Sequence, residues 1–465
     1  MKLPTYFFAF ALLTVVTVVH SAVHLSPSKT GSAIIVPFYT VSNQMNTLLS
    51  LNNTTDDNKA VKIHFKEAKN GDLLASFNVY LTGQDMWTMA MGQVPSIDGG
   101  RIRMVSNDQS CTVGFPNNED IPVDEDWLWE NGTIEIIEMG TLLPTEAPLA
   151  HRSCELLNEM WQAGQNWSSN SEDQLSEATG GLHAEVTLMD VEQGHSANIP
   201  VIHMDGFYGE DNIQHTAAGE PTPNLSTGTK DSLVISNGQA IETTWPTGYE
   251  AISALLMKNN LINEINLEPS VAAQTEWVVS FPTLFYHLND ENSAQTPFKI
   301  VNNLIWFPGY FDANLMYFNR EGFGQYFQCM IICQPFPVGY ISHSVNNLVM
   351  YKHRQSNNEV NPMLSRLNSE NTLVTDIIDY DSGDVFSYDS GKLHIKIKPE
   401  LGFSIPNSRG SDSNNSEITH EFHGLPVIGF AYTKFSNANA QPGLLAQYAF
   451  VREHFGKTKV EVISE

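Results

Sequence analysis

His420, Glu421 and His423 stand together in the run His-Glu-Phe-His. The zinc-hydrolase pattern sets two histidines at i and i+4 on a helix with a glutamate between them, so that both imidazoles reach one ion. Here the spacing is i, i+3, and on a strand His420 and His423 point to opposite sides. Polar surface ahead of a buried strand is the preferred reading, with a metal site as the alternative. Asp379, Asp381 and Asp384 make a second candidate, because calcium wants clustered oxygens. Counted from Asp379, the EF-hand positions five, six and twelve hold Gly383, Asp384 and Ser390, so that motif fails. A calcium site on a β-turn is left, and at most weak calcium stabilisation is expected there. Asp120, Asp124, Glu125 and Asp126 form a similar acidic cluster.

A glycosidase needs two carboxylates flanking a sugar, often beside aromatic platforms. Glu135 and Glu138 follow Trp127 and Trp129 closely, yet on a strand the two glutamates alternate faces. His203, Asp205, Asp211 and His215 are possible ligands scattered through a loop. Trp306, Phe307, Tyr310, Phe311, Tyr317 and Phe318 belong to a dense aromatic stretch. Such density is more often core than ligand groove. No Gly-x-Ser-x-Gly elbow, Cys-x-x-Cys-His run, Walker loop or dinucleotide fingerprint is present. No residue set reaches a catalytic motif.

The elements that would position these residues are short strands. Val61, Ile63 and Phe65 alternate with Lys62, His64 and Lys66. Leu73, Ala75, Phe77, Val79 and Leu81 alternate with Leu74, Ser76, Asn78, Tyr80 and Thr82. Period two implies an antiparallel sheet with one face to a core and one to water. Further strands are expected at residues 84–90, 101–105, 133–139, 182–188, 277–282, 393–397, 425–432 and 444–451. Helices are expected at residues 153–163 and 249–265, the latter broken at Asn259-Asn260. Residues 166–181 read as a linker or loop, and the Pro/Gly/Thr-rich residues 206–231 as a long surface loop. The fold class is therefore mainly β. Antiparallel β-sandwich or jelly-roll-like units with a few short helical inserts are expected, since open sheets must cover a face.

Residues 1–22 carry Lys2, the apolar run 6–19 and small residues at the end, the pattern of a signal peptide. Two units are expected after it, an N-terminal β-sandwich over 23–175 and a C-terminal β-rich unit over 176–465. No later run is long enough to span a bilayer. The net charge of −28, from 24 Lys+Arg against 52 Asp+Glu, disfavours nucleic acid and anionic membranes as partners. Cys111, Cys154, Cys329 and Cys333 allow three disulfide connectivities in an oxidising compartment. A straight strand from Cys329 to Cys333 would hold their ends about 13 Å apart, beyond bridging reach. Either that segment turns or each cysteine pairs elsewhere. Cys111–Cys154 is favoured, with Cys329–Cys333 second.

Several phrases in order resemble a group of exported proteins of Gram-negative bacteria with no established activity. They are residues 35–41 (IVPFYTV), 77–81 (FNVYL), 107–112 (NDQSCT), 134–140 (IEIIEMG), 277–283 (WVVSFPT) and 424–430 (GLPVIGF). The resemblance implies a bacterial, secreted, β-rich protein and lends no functional residues. It also makes the Asn-x-Ser/Thr sequons less meaningful as glycosylation sites. The expected function is that of an exported, non-enzymatic, surface-associated or structural protein, secreted, cell-surface or periplasmic. A cell-surface polymer or further copies of the chain are the candidate partners. The alternative is a secreted carbohydrate-binding or carbohydrate-hydrolysing protein.

Overall fold

The computed structural model describes residues 22–94, 101–121, 126–143, 154–209 and 213–289. Past these it describes residues 297–298, 300–301, 304–306, 315–322, 324–326, 340–341, 343–351, 367, 372–376, 389–397, 403–411, 417–441 and 444–464. Residues 1–21 of the targeting segment, Asp124, Glu125, Asp211, Cys329, Cys333, Asp379, Asp381 and Asp384 lie outside them. The chain is mainly β, built of antiparallel sheets with a few short helices. Val345–Tyr351 and Thr372–Asp376 are an exception and pair in parallel.

The largest sheet runs in the order His24–Leu25, Ile202–Asp205, Ala33–Thr40, Asn131–Leu142, Asn58–Glu67, Leu73–Leu81, Cys111–Val113. A second has the order His195–Ile199, Leu182–Asp190, Met45–Asn53, Met86–Val94, Arg101–Val105. Val61, Ile63, Phe65, Phe77 and Val79 of the first share one core with Leu49, Leu51, Trp87, Met89, Val186 and Leu188 of the second. That is the sandwich implied by the alternation. Strands from beyond residue 175 lie inside both sheets, so the sheets run across the expected division at 175/176.

A third sheet, Thr372–Asp376, Val345–Tyr351, Gln274–Ser280, Ile428–Gln441, Leu444–Glu453, adds Val278, Phe430 and Tyr432 to that same core. On its other face Trp277, Val279 and Met350 meet Leu261, Ile265, Leu393 and Ile395. These last come from a four-stranded sheet that includes Asn260–Asn266 and Ser390–Lys396. The helix Gly248–Leu256 is buried along its length and starts with a capping box between Thr247 and Glu250.

Three expectations need correcting. Asn260–Asn266 is a strand paired with Ser390–Lys396, not the second half of a helix. Its Asn and Ile residues are weak helix formers, and Asn263 donates from Nδ2 to the carbonyl of Arg452 at 2.8 Å. Residues 166–181 are not a bare linker. They hold the short helix Asn166–Ser169 and the strand Leu175–Ser176, pinned by a buried Trp167. The described residues of 206–231 are no bare surface loop: residues 216–223 lie across the largest sheet on the face expected to meet water, held by Lys62, His64, Ser76 and Asn78. Lys62, His64 and Lys66 are all buried beneath cover.

Candidate functional site

The residues with chemistry gather on that covered face. Asn58–Glu67 and Asn131–Leu142 pair in register, with His64 opposite Glu135 and a bulge between Ala60 and Val61. The bulge re-aims the side chains beyond it, so Glu138 meets Lys59. Lys59 Nζ sits 2.8 Å from Glu138 Oε1, both side chains being fully buried. Lys59 also donates to Thr179 Oγ1 at 2.8 Å. The amides of Thr179 and Gly180 donate to the same carboxylate at 3.0 and 2.8 Å. Burial pushes the Glu138 carboxyl above its usual range, against the pull of Lys59 and the two amides.

Lys66 repeats the device near the other end of the same strand. Its Nζ lies 2.6 Å from Glu135 Oε1 and 2.8 Å from the Tyr286 hydroxyl, which itself donates to Glu135 at 3.0 Å. The ammonium also stands 4.2 Å from the Tyr286 ring centre. Burial and the charge of Glu135 raise the Tyr286 phenol well above its ordinary range.

Between the two pairs, the sheet holds the covering segment through its backbone. Lys62 Nζ donates to the carbonyls of Ala217 and Thr216 at 2.6 and 3.3 Å. His64 Nε2 meets the Pro223 carbonyl at 2.7 Å. Ser76 Oγ donates to Glu220 O, and Asn78 Nδ2 to Thr216 O. An irregular segment inside a protein must find partners for its carbonyls, and these side chains are the partners. Burial lowers Lys62 to about 7, with Glu220 opposing, and lowers His64 to about 4.

Chemically this is a closed seam. Both carboxylates are engaged by a lysine and by further donors, under chain that keeps solvent off. Glu135 and Glu138 do not flank an open cleft, so the arrangement gives a hydrolytic reading no help there.

His203 and Asp205 share the strand Ile202–Asp205, but they do not converge on one point. His203 Nε2 accepts from the Ala184 amide and its ring stacks on His183, while Asp205 accepts from Ser26. His215 lies in an aromatic nest. Nδ1 meets Ser171 O at 2.6 Å, Nε2 meets the Tyr80 hydroxyl at 3.0 Å, and Trp161 and Trp167 pack against the ring. Burial lowers it to about 4. The Cys111–Cys154 disulfide is formed beside this nest. Asp120 pairs with Arg103 at the surface. Trp129 is buried in the sandwich core, and Tyr317 in the core beneath the third sheet. A groove of about 290 Å³ is lined by Glu264, Asn266, Asn319, Arg320, Ser390 and Lys392 among others.

Sequence reasoning missed Lys59, Lys62, Lys66 and Tyr286. The available signal was a glutamate at 135 and another at 138 inside an apolar strand, which demand buried cations. It missed Glu461 as well. The structure sets Glu421 and His423 on one face of the strand Glu417–His423, next to Glu461 of Lys459–Ser464. His420 faces the other way, as strand geometry requires. No helix among the described residues is long and apolar enough to cross a membrane. No family model, curated protein or solved structure matches the chain.

Proposed function

We propose that this is an exported, surface-associated structural protein whose buried charges serve the fold rather than turnover. The observation that carries this reading is the seam itself. The best acid and base candidates, Glu135, Glu138, Lys59 and Lys66, are consumed in two buried ion pairs, one closed by Thr179 and Gly180 and the other by Tyr286. The Cys111–Cys154 bridge supports export, because such bonds persist in oxidising compartments. The signal-peptide pattern of residues 1–22 points the same way.

The test has two arms. Fractionation of the producing cell should recover the protein with the envelope or the outer surface, released by washing rather than as a free catalyst. On a panel of soluble polysaccharides, the purified chain should liberate no reducing ends. Hydrolysis that Glu135→Gln abolishes while the circular dichroism spectrum stays unchanged would overturn the reading and restore the carbohydrate-active alternative.

A further inference from the structure

We infer that Glu421, His423 and Glu461 form a binding site for a divalent transition-metal ion of the zinc type, clipping the C-terminal edge strand to its neighbour. In the antiparallel pair, Glu421 stands directly opposite Glu461 and His423 opposite Lys459. Directly opposed residues on one face bring their side chains within reach, and two like charges so placed repel. A cation between them converts that repulsion into attraction.

The distances suit an ion of this size. His423 Nε2 lies 3.2 Å from Oε2 of Glu461 and 3.9 Å from Oε2 of Glu421. All three ligand atoms fall within 4.8 Å of one another. Two ligands at tetrahedral angles around zinc, each about 2.0–2.1 Å from it, stand about 3.4 Å apart. Small side-chain rotations therefore close the set.

An independent observation points to a ligand. The His423 side chain is only 6% exposed, yet neither ring nitrogen makes a hydrogen bond. The contacts to the two carboxylates lack hydrogen-bond geometry. A buried, unsatisfied imidazole is costly, and coordination is a natural use for it. Glu461 is half exposed, which leaves an entry path and room for water to complete the coordination. Lys459 holds the other oxygen of Glu461 at 2.5 Å, leaving Oε2 turned to His423.

The donor set selects the metal. One imidazole with two carboxylates suits zinc and its neighbours in the first transition row. Calcium wants six to eight oxygens and gains little from a ring nitrogen. Nδ1 of His423 has no outer partner, and such partners are worth about 10–100-fold in affinity. Micromolar rather than nanomolar binding is expected.

The experiment is calorimetric titration of the full chain, stripped with EDTA, using zinc chloride, alongside cobalt(II) absorption spectra. One ion per chain should bind, with a tetrahedral cobalt band, and millimolar calcium should not displace it. Glu461→Gln alters an exposed residue and keeps the fold, and it should weaken binding at least ~10-fold. His423→Gln should abolish it. His420→Ala, on the opposite face, should leave it unchanged. No zinc binding by the parent, or stoichiometric binding that survives Glu461→Gln, overturns the site.

Discussion

Two places in this molecule set carboxylates against basic groups on neighbouring antiparallel strands, and they differ in whether the basic group beside the carboxylate is itself hydrogen-bonded. In the seam, Glu138 takes a lysine and two amides, and Glu135 takes a lysine and a phenol. In the C-terminal three-stranded sheet, Glu461 takes Lys459, while the buried His423 beside it has no hydrogen bond. Burial alone therefore does not mark a site. A buried polar group with every partner present is architecture, and one with an open valence beside exposed carboxylates is a place for a ligand.

The hardest way to break this contrast is at Glu138. Glu138→Gln leaves the Lys59 ammonium buried without its counter-charge, and should cost about 3–5 kcal/mol in denaturant unfolding. Lys59→Met combined with Glu138→Gln removes both charges and should recover most of that loss. If the double variant is as unstable as the single, the pair is not what the cover protects.

Next in size is the covalent staple that the seam region has. Cys111 and Cys154 close a 43-residue separation. In the chain-entropy model such a loop is worth about 4 kcal/mol. Replacing both by alanine should lower stability by roughly that amount in urea. Equal midpoints with and without the bridge would mean that the helix Cys154–Met160 contributes nothing to holding the nest around His215.

The alternating strands and this disulfide were legible in the sequence because both are local or pairwise facts. Val61, Ile63 and Phe65 announce a core face from their spacing alone. The cover was not legible. Lys62, His64 and Lys66 have the composition of a wet face, and residues 206–231 have no periodicity to say where they lie. Only the third dimension turns Lys62 and His64 into hydrogen-bond anchors for a segment about 150 residues away, and Lys66 into the partner of Glu135 and Tyr286. Glu461 was hidden for the same reason, since strand register across the C-terminal sheet brings it to Glu421. Asn260–Asn266 misled differently, by carrying apolar residues at spacings that either period accommodates.

A third test separates the interior from the surface by pH. Burial lowers His64 and His215 to about 4 and His454 to about 3. Unfolded imidazoles titrate near 6.5. The folded values lie below the unfolded ones, so between these limits the unfolded chain binds more protons. Stability is then fully present above about 6.5 and falls as pH drops toward 4. Near pH 5, unfolding should take up about three protons through these groups. Each single His→Gln variant should remove about one proton from the pH dependence of the unfolding midpoint. A midpoint flat from pH 7 to 4.5 would mean that these rings are not held neutral.

The smallest effect gives the sharpest comparison. Lys459 and Glu461 approach to 2.5 Å, closer than Lys59 and Glu138 at 2.8 Å. Distance alone would rank the C-terminal pair higher. The Lys459 and Glu461 side chains are 42% and 51% exposed, against none for the other two. Water and salt screen such a pair, and ordering two long side chains offsets what attraction is left. Hydrogen bonding and charge from Lys459 lower the Glu461 carboxyl, so whatever it contributes is present at neutral pH and lost as pH falls through the folded value. Lys459→Ala in metal-free buffer should leave the thermal midpoint unresolved from the parent at 150 mM salt. Lys59→Ala should lower it by many degrees. If the two substitutions prove equally damaging, burial is not what distinguishes the regions, and the C-terminal edge strand depends on its charges as heavily as the seam does.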